Sequence, residues 1–194
     1  MRPMRRSPVL AAVASLALVA SGCGNDRTPA PDTATPLPPQ GSARLRFPES
    51  GVTVAAPGRW DQTPGAAPLV TTMSSGRATV AVWRFARAEP LPQTADDLQR
   101  ARRDLVKAAK ARDPSFRAGS VRVRSVKGLR ALEVRGTGTI QGQARAVRSL
   151  HVFAFGGEVV VDGLAPPDDF ARVDKEVFVP VMRSLRLARP RGGA

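Results

Sequence analysis

The order of amphipathic segments predicts an α+β domain in which an antiparallel β-sheet is flanked by two long helices. Three observations carry this. Short runs of alternating apolar and polar residues recur between residues 44 and 161, most of them separated only by a few turn-forming residues. Connections of that length permit hairpins but not the crossovers that parallel strands require. Two other segments, Thr94–Arg112 and one opening at Pro166, repeat their apolar residues every three or four positions, and each needs a sheet to cover. The chain has 194 residues, 42% of them hydrophobic, which is enough for one independent core.

Arg44–Phe47 and Val52–Ala55 read as two strands around Pro48-Glu49-Ser50-Gly51, and Trp60 follows the Pro57-Gly58 stop. Leu69–Met73 and Arg77–Phe85 form a hairpin across Ser74-Ser75-Gly76. Both faces of the second strand are mostly apolar, which predicts a central position. Thr94 and Asp97 have the spacing of a capping box, with Asp96 and Asp97 near the positive helix end. Leu98, Ala101, Leu105 and Ala109 then form one stripe for burial. A meander follows: Val121–Arg124, a turn at Lys127-Gly128, Leu129–Thr137 and Ala144–Phe155. Gly156-Gly157 predicts a two-residue turn into Glu158–Val161. Pro166-Pro167-Asp168-Asp169 opens the second helix, with Phe170, Val173, Val177, Val181 and Leu185 on one side. Pro180 should kink or restart it, because proline lacks a donor and clashes with the preceding turn.

The domain, residues 43–188, is preceded by segments of different composition. Met1–Pro8 carries three arginines, Val9–Ala20 is a twelve-residue apolar run, and Ser21, Gly22 and Cys23 follow. A basic start, a short apolar stretch and small residues predict a secretory signal peptide over 1–22. Twelve helical residues span roughly 18 Å, short of a hydrocarbon core of about 30 Å. Ala20-Ser21-Gly22-Cys23 resembles the bacterial lipobox, with Ala20 a departure from the usual Leu, Val or Ile. That resemblance implies a diacylglyceryl thioether on Cys23 and a location on the outer, extracytoplasmic face of the cell membrane. Residues 23–42, with five prolines and few bulky apolar side chains, predict a disordered tether to the domain. Residues 189–194 read as a flexible tail.

The formal charge is +14, and loss of Arg2, Arg5 and Arg6 with the leader leaves +11. Only four of the thirty basic residues are lysines, a bias matching a GC-rich coding sequence and a solvated arginine surface. Arg102, Arg103, Lys107 and Lys110 on the first helix are candidate contacts for anionic lipids or envelope polymers. Export argues against nucleic acid as the partner. One cysteine excludes an intramolecular disulfide and Cys-rich zinc sites, and no metal or cofactor is expected.

Phe47-Pro48, Gly51 through Pro57 and Trp60, the central helix, Gly128-Leu129-Arg130-Ala131 and the closing Val181–Leu185 helix together resemble the PsbP-like fold. That fold is shared by the photosystem extrinsic P subunit and a small Ran-binding import factor, and the chain is also similar to LpqN-type lipoproteins. The resemblance spans about Leu45–Leu187. It implies an αβα sandwich and a binding or accessory role in the envelope, without supplying active-site residues.

For catalysis the one histidine, His151, has Ser149 two residues away on the same strand face and Asp162 on the next strand as a third member. Both lie mid-strand with no Gly-x-Ser-x-Gly elbow, so a hydrogen-bonded structural histidine is the preferred reading. The Asp96-Asp97 and Asp168-Asp169 pairs read as helix caps, and the glycines at 136, 138, 156 and 157 lack the spacing of a phosphate loop. Trp60, placed on a loop, is a better candidate ligand contact than Trp83, with core packing the preferred reading for both. A monomeric, noncatalytic binding module for a protein, lipid or cell-wall component is the expected function. An anionic-polymer docking surface and a hydrolase are the alternatives.

Overall fold

A computed structural model describes residues 33–140 and 142–191. The leader, Cys23 and tether residues up to 32 lie outside the described residues, as do residues 192–194. Two antiparallel sheets form the frame. The smaller orders β1 (Ser42–Phe47), β2 (Val52–Pro57) and β10 (Arg186–Leu187) as β1-β2-β10. The larger contains β3 (Asp61–Pro64), β4 (Leu69–Ser75), β5 (Ala78–Ala86), β6 (Arg117–Val126), β7 (Leu129–Ile140), β8 (Gln143–Ala154) and β9 (Gly157–Ala165). Its order is β3-β4-β5-β9-β8-β7-β6, with every neighbouring pair antiparallel. The fold is α+β, and β5 is interior, as its two apolar faces require.

The two faces of the seven-stranded sheet are covered differently. One face carries the main core. There Val80, Val82, Leu150, Val152, Val159 and Val161 meet Val52, Val54 and Ala56 of β2 and a helical segment bearing Val173, Val177, Phe178 and Val181. Over the other face lies α1 (Ala95–Arg112), opened by the predicted capping box between Thr94 and Asp97. Its contact is a small cluster of Leu98, Leu132 and Phe153.

The second helix is not one long α-helix. It runs as α2 (Pro167–Val173), a π-helical turn (Asp174–Phe178) and α3 (Val179–Ser184). Pro180 sits in the first turn of α3, directly after the π-helical turn, and the Val179 amide reaches back to the Asp174 carbonyl in an i→i+5 bond. The wide turn is how the chain passes a proline without stopping.

Two expectations about the ends are corrected. Residues 34–41 are not a free tether but a strap along the domain. The Arg77 amide donates to the Ala34 carbonyl, Leu37 N–H donates to Ser75 Oγ at 3.0 Å, and Gln40 and Gly41 bond to Gly58. Pro36 is buried. Prolines have little backbone freedom to lose, so this segment docks at lower entropic cost than its low apolar content implies. At the other end Arg191 N–H donates to the Pro48 carbonyl, so residues 189–191 are held rather than loose.

Candidate functional site

α1 covers its sheet face incompletely. Its stripe alternates leucine with alanine, and only Leu98 becomes fully buried; Ala101, Leu105 and Ala109 remain half-buried. The short Ala109 side chain leaves space between the helix and the sheet. The result is a cavity of about 790 Å³ beneath the C-terminal half of α1, within the size range of small-molecule sites. It opens to solvent on one side, so it is a cleft rather than an enclosed void.

Its walls are apolar: Leu105 and Ala109 from α1, Phe116 beyond it, Trp83 and Phe85 from β5, Val134 and Ile140 from β7, and Val147, Val160 and Leu164 from β8 and β9. Trp83 and Phe85 stack with centroids 6.1 Å apart, and Phe85 and Ile140 are left exposed. The Trp83 indole N–H makes no hydrogen bond among the described residues.

On this apolar floor lies one polar chain. Glu158 Oε1 stands 2.7 Å from His151 Nδ1, and His151 Nε2 stands 2.9 Å from Ser149 Oγ. The Ser149 hydroxyl donates to Asp162 Oδ1 at 2.5 Å. Arg87 donates to the other Glu158 oxygen at 2.8 Å and lies over the Phe153 ring, 5.5 Å from its centroid. Ser149, His151 and Glu158 are buried. Burial acts most strongly on the Glu158 carboxyl and pushes its pKa up. The hydrogen bond and charge of His151, with those of Arg87, together outweigh it and hold the carboxyl below the usual glutamate range.

The sequence brought Ser149, His151 and Asp162 together correctly but misassigned the partner of the imidazole. A turn at Gly156-Gly157 would set Asp162 directly opposite His151. The turn is instead Phe155-Gly156, both with positive φ, and Ala154 pairs with Gly157. Gly157 pairs with Ala86 of β5 as well, and its lack of a side chain permits that approach, since a Cβ there would stand 2.6 Å from the Phe85 carbonyl oxygen. The register therefore slides by two residues, placing Asp162 opposite Ser149 and bringing Glu158 to His151. Sequence reasoning missed Glu158 for this reason.

The Ser149 hydroxyl has one proton and directs it to Asp162 Oδ1 rather than to His151 Nε2. Because β8 is flanked by β7 and β9, its backbone N–H groups lie within the two ladders, and those beside Ser149 are not free to receive an oxyanion. Among the described residues no cluster of three or more His, Cys, Asp or Glu is suited to a metal. No helix among them is long and apolar enough to cross a membrane.

The other candidate residues fall elsewhere. Trp60 is 4% exposed within the main core, and its indole N–H donates to the Leu37 carbonyl of the strap at 3.0 Å. Trp60 thus packs in the core, the reading preferred for it, and of the two tryptophans it is Trp83 that lines the cavity. Arg102, Arg103, Lys107 and Lys110 are exposed on α1 without an ion pair among the described residues, and none lines the cavity; Arg112 does.

No family model matches the chain, and no curated protein matches it in sequence. Solved structures do. The cyanobacterial PsbP of Synechocystis sp. PCC 6803 superposes with a TM-score of 0.60 at 12% identity, covering 76% of this chain and 92% of that one. LpqN of Mycobacterium tuberculosis, described as involved in cell envelope biogenesis, gives 0.53 at 15% identity over 76% and 91%. A Pseudomonas aeruginosa protein of unknown function, described as a putative regulator, gives 0.50 at 16% over 78% and 99%. These likenesses concern shape: the chain has a PsbP-like fold similar to that of LpqN.

Proposed function

We propose that this chain is a noncatalytic binding module of the cell envelope, held at the extracytoplasmic face of the membrane through a lipidated Cys23. In this reading it carries an apolar or amphipathic ligand between α1 and the sheet. The 790 Å³ cavity carries the proposal. Its apolar walls would hold a hydrocarbon portion, while the Ser149–His151–Glu158–Asp162 chain offers a fixed polar contact at the floor. The location rests on the leader and lipobox in the sequence, and the description of LpqN agrees with an envelope role. Titration with Nile red, an uncharged apolar fluorophore, tests the cavity. One equivalent should bind, and Ala109→Trp, which fills the space, should weaken it roughly tenfold, a loss of about 1.4 kcal/mol. Binding that ignores the substitution would place the dye elsewhere and remove the argument.

The Glu158–His151–Ser149 alignment favours a second reading, a hydrolase. Against it, the serine proton is directed to Asp162 and the strand supplies no oxyanion donor. Turnover of an ester substrate abolished by Ser149→Ala would establish that alternative.

A further inference from the structure

The opposite face of the seven-stranded sheet holds a second cavity of about 860 Å³, between the β6–β7 hairpin and the π-helical turn. Six basic residues line it against two acids, Glu133 and Asp174, a surplus of four positive charges. The two kinds of cation there are arranged differently. Arg148 is buried between the acids, 2.6 Å from Glu133 and 2.9 Å from Asp174. Arg124 and Arg135 bond the same carboxylates from the side, at 3.3 and 3.2 Å. These five groups hold one another in place. Lys127, Lys175 and Arg183 are exposed at the same cavity and have no ion pair or hydrogen bond among the described residues.

Two backbone features put the two lysines there. Lys127 occupies the first central position of a two-residue turn with φ 52°, followed by Gly128 at φ 84°. Glycine and, among residues with a side chain, asparagine tolerate this left-handed position best, and a lysine there is strained. Lys175 rides on the π-helical turn, a form that occurs frequently at functional sites.

We propose that this cavity is an anion site for a phosphorylated ligand, engaged by Lys127, Lys175 and Arg183 with Arg124 and Arg135 orienting it. A concave site of this volume fits a small molecule or a head group rather than a duplex. Guanidinium groups fixed on their carboxylates present planar donors that match phosphate oxygens. The site is separate from the α1 cavity and stands whether or not that one binds a ligand.

The test uses the full chain with two probes, pyrophosphate by calorimetry and vesicles of phosphatidylglycerol against phosphatidylcholine by co-sedimentation. Lys127→Gln/Lys175→Gln/Arg183→Gln should weaken binding about tenfold or more. Arg102→Gln/Arg103→Gln/Lys107→Gln, which removes the same charge from α1, should change it little. Lys127→Asn should weaken binding while raising the thermal midpoint, a split that a purely structural lysine would not give. Pyrophosphate binding assigns a soluble phosphorylated ligand, and selective vesicle binding assigns a lipid head group. Equal losses in the two triple variants, or binding of neither probe, overturns the proposal.

Discussion

At the scale of single residues, the buried charges govern how this protein responds to acid and to truncation. Glu133 resembles Glu158: burial raises its pKa most, but Arg148 and Arg124 overcome that and hold it low. Both carboxyls therefore titrate lower in the folded chain than in the unfolded one. Their stability contribution is complete above the ordinary glutamate value of about 4.3 and is lost as pH falls through the lowered values. Urea midpoints should drop steeply below about pH 4.3, and Glu158→Gln should flatten that limb; an unchanged slope would acquit Glu158. Arg148→Met should cost about 1–3 kcal/mol by denaturant unfolding, since Glu133 and Asp174 would lose their buried shared partner and keep only Arg124 and Arg135 at the side. Adding Glu133→Gln and Asp174→Asn to that variant should recover part of the loss. None of this triad was visible in the sequence, because its members lie on three elements whose register and turn only the fold specifies. His151 and Ser149 were legible, two residues apart on one strand, while their true acid depended on a turn displaced by one residue.

At the scale of elements, local chemistry was readable wherever it acts within a few residues. The capping box of α1 formed as its spacing predicts, with the Asp97 amide donating to Thr94 Oγ1 and the Thr94 amide donating to Asp97. Strands missed in the sequence, β3 and β10, are four and two residues long and too short to show a period. The response to Pro180 was foreseeable as an interruption, but its form, a π-helical turn, depends on what the helix must cover. That turn presents Phe178 to the sheet, where its ring lies against Gly163 of β9. A Cβ on Gly163 would stand 2.5 Å from the ring. Gly163→Ala should therefore push Phe178 out of place and cost about 1–3 kcal/mol by overpacking, measurable as a lowered denaturant midpoint. Stability matching the parent protein would mean that the helix can shift on the sheet. The incomplete cover of α1 follows the same logic in reverse. Its stripe was legible as amphipathic, but periodicity reports which side chains face inward and not whether they fill the space.

For the molecule as a whole, the strap of residues 34–41 joins elements that otherwise have little in common. Besides its contacts with Ser75, Arg77 and Gly58, Pro36 accepts a hydrogen bond from Arg172 in α2, and Leu37 accepts that of Trp60 from the core. Proline content was read in the sequence as a sign of disorder, on the ground that little apolar surface offsets the ordering cost. That reasoning treats every residue as equally costly to order. Backbone ordering costs roughly 1–2 kcal/mol per residue in general, whereas a proline enters with its φ already fixed. Pro36, Pro38 and Pro39 lie in the strap, so its hydrogen bonds, each worth about 1 kcal/mol net, oppose a reduced entropy. Replacing the three by alanine should lower stability by about 1–3 kcal/mol, mainly through the unfolded state. Hydrogen exchange separates this from loss of core packing. The amides of Leu37 and Arg77, bonded across the strap, should exchange faster by a larger factor than those of β8 and β9, because the strap can detach without the core opening. Uniform acceleration at all of these positions would show instead that strap and core open as one unit.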